Sequence, residues 1–583
     1  AGSKGNGGSA GGSLVVGVLA NTLAAEWLGS EASNFARMDV TAASASRVLA
    51  GALGGAVSTG SDSGAGAGSL LTLVLANKIQ SRVDAYKPNA TSPALLSSLQ
   101  GGALNLSAQS LSGASPLDSL FSAAAEGTLL ESGLDLGGGN TVSAIKVSGE
   151  VDKDLLNGKN GPGNLFEGQI AGEAVLAVAG SLGASGGKAG VGGSMALVYS
   201  GSEYTAQLAN SNVDLSGDLT IAARHSADVL AAAVSGAGST EVGVSGSATA
   251  LIGRGNVLAG LDMGDRTLKA NNLRISAERS GGHYSLAGNI TGSSGSTAVG
   301  GAVGISDMQQ RVEAVLEKGR YELGGDLTLD AAQQSRIISA ALSAAVTSGN
   351  VAVGGAMTFN RIADTTLANL RNAKVLADDL SIRTTQAGLG ASIWSLAFNL
   401  AASGSNTGVG SAVAINLVEA TRKAEVNDSE VDLRGSASVL SGLDGEIWGV
   451  GVNAVGGSTA GVGGSVVVNN IDGSDSAGVN GGYLRTSGSG KSLTLDAAQG
   501  QGMLIASLSG QVTGSGNTGV GGAFSVNRIG AQRSASIAQS DIRGFASGAL
   551  SASLDQSIYA AAVSGAGAST AAISGSTTSN VIE

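Results

Sequence analysis

Hydrophobic and polar positions alternate through most of the chain, and one alternating segment returns at a near-constant interval. It reads VGGSMALVY from Val191, VSGSATALI from Val244, VGGAVGISD from Val299 and VGGAMTFNR from Val353. It continues as VGSAVAINL from Val409, VGGSVVVNN from Val462, VGGAFSVNR from Val520 and ISGSTTSNV from Ile573. The starts lie 53, 55, 54, 56, 53, 58 and 53 residues apart, a period near 54. A second element keeps a fixed phase to the first: DLTIAA from Asp218, NLRISA from Asn272, DLTLDA from Asp326, DLSIRT from Asp379 and SLTLDA from Ser492, with a weaker match at Ala549. A third precedes each Val-Gly-Gly segment, as in HYSLAGN, RIISAAL, SIWSLAF, EIWGVGV and SIYAAAV. All three have the period of two that marks strands. The Gly/Ser/Asn runs between third and first elements, such as TSGN and TGSGNTG, read as turns.

Several short strands per repeat with no helical punctuation predict an all-β chain, an elongated parallel β-helix in which each coil hydrogen-bonds to the next. The period accommodates three coils of about 18 residues or two of about 27, and the strand spacing of about 4.8 Å then gives some 20 to 30 coils and a rod roughly 100–150 Å long. The alternation also divides each strand into two faces. In VGGAMTFN, Val353, Gly355, Met357 and Phe359 oppose Gly354, Ala356, Thr358 and Asn360; in VGGAFSVN, Val520, Gly522, Phe524 and Val526 oppose Gly521, Ala523, Ser525 and Asn527. The larger set is expected inside, leaving a smooth outer face of Gly, Ala, Ser and Thr. By the same rule Trp394, Leu396 and Phe398 point in, while Ser395, Ala397 and Asn399 point out. Charge is segregated as well: 385–418 and 556–582 contain no Asp, Glu, Lys or Arg, whereas 307–336 and 419–434 are dense in them. One side of the rod should be solvated and another neutral.

The pattern divides the chain into three parts. Residues 1–86 hold two divergent, more hydrophobic copies, GSLVVGVLAN from Gly12 and GSLLTLVLAN from Gly68. Residues 87–180 lose the repeat and contain all 4 prolines. There, SPALLSSLQ from Ser92 and SPLDSLFSAAAEG from Ser115 each open with the Ser-Pro signal of a helix start, so an insertion with two short helices is expected. Residues 181–583 return to the repeat, and the uncapped ends, a Gly/Ser turn at Ala1 and a strand running to Glu583, read as a fragment of a longer array.

Composition changes this picture little. The 583 residues include 95 Gly, only 13% charged and 3% aromatic residues. That composition builds close-packed small-residue layers rather than a globule. The net charge of -12 disfavours nucleic acid and anionic membranes as partners. With no Cys, thiolate chemistry is absent, and no nucleophile elbow, HExxH or phosphate loop occurs, so no enzyme activity is expected. The two His, His225 and His283, read as solvated or turn residues. No cofactor is expected. Asp152 and Asp154 in EVDKDLLNGKNG are the one carboxylate pair placed for Ca²⁺, although Leu156 stands where an EF-hand loop requires Asp or Asn.

Aromatic residues are the strongest binding signal. Trp394 and Trp448 lie 54 residues apart at one repeat position, also held by Tyr284, Ile338, Leu504 and Tyr559. An aromatic column on a flat sheet suits glycan stacking, which makes Trp394, Trp448 and Tyr559 candidate ligand contacts. The apolar neighbours on the same faces favour stacking inside the core instead. Asn289, Asn399 and Asn453, with Asn360, Asn416, Asn469 and Asn527, read as ladder or turn residues.

The segment GSGNTGVGGAFSVNRI within 509–529, its relatives at Val353 and Val409, and the DLTLDA elements resemble the repeat regions of large secreted filamentous adhesins of Gram-negative bacteria, of the leukotoxin-type and filamentous haemagglutinin-like group. The resemblance covers roughly 180–583 and more loosely 1–86. It implies a right-handed β-helical rod, export by two-partner secretion through an outer-membrane transporter, and a place outside the cell or on its surface. It further implies attachment, cell–cell aggregation or biofilm matrix binding, with polysaccharide or cell-surface glycan as partner. The alternative is a self-associating filament or surface-layer component with no ligand of its own.

Overall fold

The computed structural model describes residues 2–3, 7–85, 98–110, 134–135, 141–142, 173–385, 390–497 and 502–583. Its architecture is an all-β, elongated parallel solenoid, as the periodicity predicts. The coil, however, is neither 18 nor 27 residues. Val299 pairs with Val353, Val353 with Val409, Val409 with Val462 and Val462 with Val520, so each strand bonds to the copy one whole repeat away. One coil is therefore one repeat. Its members are a long strand such as Thr297–Leu323, a short strand such as Leu327–Gln333 and a return strand such as Ser335–Thr347. Long strands stack in rungs beginning at Ser9, Gly64, Ala189, Val242, Thr297, Val351, Thr407, Ala460, Thr518 and Ala571. At about 4.8 Å per rung these span roughly 45 Å, so the rod is broader and shorter than the sequence reading has it.

Two stretches of the 87–180 segment belong to this wall. Ser98–Ser110 pairs with 212–224, and Glu173–Ser185 pairs with Arg47–Ser58 on one side and 227–238 on the other. Ser98, Leu99 and Gln100, the end of the first expected helix, are strand. The rest of that helix and the whole of the one from Ser115 lie outside the described residues. Ser98–Ser110 and Glu173–Ser185 are the short strand and the return strand of one coil.

Each coil has two compartments. The second half of the long strand and the short strand enclose a broad aliphatic core running the length of the rod, with Leu219, Ile275, Val312, Leu316, Leu329 and Ile382 among its members. The first half of the long strand lies against the return strand in a thin wing, whose small interior cluster is almost entirely Ala: Ala287, Ala302, Ala341, Ala356, Ala397 and Ala412 among them.

In the wing the alternation is read correctly but its two faces are exchanged. Gly354, Ala356, Thr358 and Asn360 are buried, and Val353, Gly355, Met357 and Phe359 are outward and half-buried. Gly521, Ala523, Ser525 and Asn527 likewise point in, with Phe524 and Val526 exposed. The cause is the narrow gap between the two sheets. A Cβ added at Gly354 would overlap the side chain of Asn399, and one at Gly192 would overlap the backbone of Gly236. No larger side chain fits at those two positions, whereas in the first rungs Leu71, Leu73 and Leu251 fill the wing interior.

Two amide ladders run along the rod inside the wing. Asn360 donates to Asn416 at 2.8 Å, Asn416 to Asn469 at 2.8 Å, Asn469 to Asn527 at 2.9 Å and Asn527 to Asn580 at 2.8 Å. A second ladder runs from Asn399 to Asn453 at 2.7 Å and on to Gln511 at 2.6 Å. These Asn are ladder residues, facing inward rather than outward. Asn416→Ala removes the acceptor of Asn360 and the donor of Asn469, so it is expected to cost about 1–3 kcal/mol. Native-state hydrogen exchange should show lost protection confined to the rungs at 351–377, 407–433 and 460–486. An Asn416→Ala chain with unchanged protection there would mean the ladder contributes nothing.

Candidate functional site

The outer face of the return strands is where the sequence candidates come together. Along Ala391–Ser403, Ile393, Ser395, Ala397, Asn399 and Ala401 are buried, so Trp394, Leu396, Phe398 and Leu400 face out. Trp394 and Trp448 are in register on adjacent rungs and stack with centroids 5.3 Å apart and planes at 26°. Each is 39% exposed. The expectation that they stack within the core is thus corrected: they stack with each other on the surface, because the wing behind them admits only Ser395 and Gly449.

Tyr559 belongs to the same column, with one further correction. The register runs Tyr284, Ile338, Trp394, Trp448, Ala506, Tyr559, so Ala506 and not Leu504 holds the intervening position. Trp394 covers one face of the Trp448 indole. The opposite side looks toward Ala506, whose methyl group leaves a gap before Tyr559 two rungs on, about 9–10 Å at sheet spacing. An aliphatic ring between two aromatic faces needs about 3.5–4 Å on each side. At about 9–10 Å between rungs, the gap exceeds the roughly 7–8 Å that such a ring fills.

Tyr559 also lines a pocket of about 320 Å³ with Asp444, Glu446, Leu504, Asp555 and Ser557. Glu446 accepts the indole N–H of Trp448, and Asp444 accepts the backbone N–H of Gly502 at 3.0 Å. Hydroxyl acceptors and aromatic surface therefore converge at one corner of the rod. The sequence signal for this corner was the acidic residue just ahead of the third element, at Asp444 and Asp555.

The other candidates separate from this site. Asp152 and Asp154, and with them the Ca²⁺ expectation, lie outside the described residues. Among the described residues no group of three or more His, Cys, Asp or Glu is arranged to hold a metal ion.

A second polar feature, illegible in the sequence, lies inside the rod where wing and aliphatic core meet. Glu173, Arg279, Asp364, Arg422, Asp475 and Arg533 are buried there and alternate in sign along the rod. Glu173 accepts from Asn77 at 2.6 Å, Tyr204 at 2.8 Å and Ser202 at 3.2 Å, and lies 3.3 Å from His225 Nε2. Burial opposes its ionisation, but the hydrogen bonds from His225, Asn77 and Tyr204 outweigh it and hold the carboxyl down at about 2. His225 stacks on Tyr204 at 4.5 Å, and burial, reinforced by the Arg279 charge, pushes it down to about 4. Its contact with Glu173 is therefore a hydrogen bond from a neutral imidazole at pH 7. His283 is pushed down to about 3 by burial and the nearby Arg279 and Arg254 charges. Both His are buried, not solvated, a correction that follows from the inward face of their strands. Further along, Arg422 donates to Thr366 at 3.1 Å, and Asp475 accepts from Ser441 and lies 3.7 Å from Arg533. Burial raises Asp364 and Asp475 to about 6 each.

Comparison with known proteins leaves these residues to be read on their own geometry: no family model, curated protein or solved structure matches the chain.

Proposed function

We propose that the chain is an extracellular adhesive rod that binds uncharged polysaccharide or cell-surface glycan at the Trp448–Ala506–Tyr559 corner. The observation that carries this reading is an aromatic column with a gap at Ala506, opening beside a carboxylate-lined pocket. Sugars bind where apolar ring faces meet a few oriented hydrogen-bond acceptors. Asp444, Glu446 and Asp555 accept from hydroxyls and repel uronates and sulfates, so charge selects against acidic sugars. A further support is the resemblance to filamentous adhesins. That resemblance also carries the proposed place at the cell surface and the passage through an outer-membrane transporter. The site is proposed as a binding site rather than a catalytic one.

A glycan array followed by calorimetry on the whole chain tests this reading. Neutral glycans are expected to bind, and Trp448→Ala and Tyr559→Ala each to weaken binding about tenfold, or ~1.4 kcal/mol. Both side chains point outward, so melting temperature should hold. Binding of acidic glycans alone, or unchanged affinity in both variants, would move recognition elsewhere. If no glycan binds, the adhesive reading fails and a spacer or self-assembling filament remains.

A further inference from the structure

The opposite outer face of the wing, formed by the first halves of the long strands, is a surface of another kind. Val191, Val299, Val353, Val409, Val462 and Val520 form one continuous ridge along the rod. Beside it runs a groove at Gly193, Gly301, Gly355, Gly464 and Gly522, then a second ridge that includes Met195, Met357 and Phe524. Val191, Val462 and Phe524 remain 46%, 42% and 48% exposed. Among the described residues the outward positions of this face carry no charge until the seam at its edge. There Arg254 meets Asp307 at 2.6 Å, Arg361 meets Glu419 at 2.6 Å and Arg528 meets Glu583 at 2.7 Å.

We infer that this face is an interface between two copies of the chain, packed side by side with the Val ridge of each seated in the Gly groove of the other. Four observations support a second copy as the occupant. First, the size is right: five outward positions per rung over the stacked rungs give a face of roughly 45 by 30 Å, on the order of 1,300 Å², against the ~800 Å² per partner that stable complexes bury. Second, the layout is that of an interface, an uncharged apolar centre bordered by a polar rim whose ion pairs are already closed within the chain. Third, ridges that repeat every rung match only a surface with the same rung spacing, which another parallel solenoid supplies. Fourth, ridge beside groove is self-complementary under a two-fold axis, the symmetry that closes a pair instead of propagating. A lipid surface fits less well, because the wing tip is polar: Ser348 and Ser403 bond along it to Ser294 and Gly349. The inference is independent of the glycan reading, whose residues lie on the other face of the wing.

Sedimentation velocity of the whole chain from 1 to 100 μM tests it, beside flotation with phosphatidylcholine vesicles. A dimer is expected without glycan and without co-flotation. Met357→Lys with Val409→Lys should weaken dimerisation at least a hundredfold while circular dichroism and melting temperature hold, since both side chains are outward. Gly355→Leu with Gly464→Leu fills the groove without adding charge, has space for the new side chains, and should weaken it similarly. Leu396→Lys with Phe398→Lys, on the other face, should leave it unchanged. A wild-type chain monomeric at 100 μM, or one that floats with vesicles instead of dimerising, overturns the proposal. Association that survives both ridge and groove variants, as pairing of end rungs would, overturns it equally.

Discussion

Arg422→Met is expected to destabilise the rungs around it by about 3–5 kcal/mol at pH 7.5, the cost of leaving buried carboxylates without their cation. Arg422 is fully buried and lies in the fields of Asp364, Asp475 and Asp444. The pH dependence of the loss distinguishes this cause from simple loss of packing. Asp364 and Asp475 are raised from 3.8 to about 6, so folding favours their protonated forms. That contribution is fully present below the unfolded value and is lost as pH rises through the folded one. Without the guanidinium the folded values rise further, and the penalty grows above pH 6. At pH 5 both carboxyls take up protons, and the variant should recover a large part of its deficit relative to wild type measured at the same pH. Denaturant unfolding at the two pH values, with hydrogen exchange to localise the effect, measures this. An equal deficit at pH 5 and 7.5 would falsify the electrostatic account and leave a packing defect.

A pair of neighbouring glycines gives the sharpest test of which face is inside. Gly354→Val places a side chain where Asn399 already sits, displacing the amide that donates to Asn453. The expected loss is about 2–6 kcal/mol, from ~1–3 for overpacking and ~1–3 for the stranded amides. Gly355→Val, one residue on, meets only the Ser411 hydroxyl at 3.5 Å, an ordinary contact. On dilute protein it should be neutral or slightly stabilising, because a β-branched residue suits a strand and narrows the unfolded ensemble. If the larger residues filled the interior, the two effects would be reversed. Thermal melts of both variants decide the matter.

The contrast between these glycines also shows what could be read ahead of the structure. Period, strand families, turns and charge segregation depend on spacing alone, and spacing is visible in one sequence. The direction of the alternation is not, because it depends on how far apart the two sheets stand. The rule that larger side chains point inward presumes a gap of ordinary width, and at positions such as Gly354 and Gly192 the wing is too thin for it. One clue was available. Asn360, Asn416, Asn469, Asn527 and Asn580 recur at one position among the small residues, and a recurrent amide in a parallel stack reads more naturally as a buried ladder than as a solvated column. The coil length was legible too. The three elements differ from one another, so nothing repeats at 18 or 27 residues, and the shortest true period is the coil. The ionic series was not legible, since its columns change identity from rung to rung: His225 stacks on Arg279 and Arg279 on Gln333, leaving no periodic signal. For the glycan corner the aromatic column was visible, but the gap at Ala506 depends on a register that Leu504 seemed to fill equally well.

The size of the coil has a mechanical consequence. The bonds joining successive rungs point along the rod, so tension along its length is shared by every paired residue of a rung at once. In the coil that begins at Thr297 these come from strands of 27, 7 and 13 residues. A solenoid wound in turns a third as long would reach three times farther for the same chain but divide the load among a third as many bonds. This molecule is built for rupture force and bending stiffness at the expense of extension.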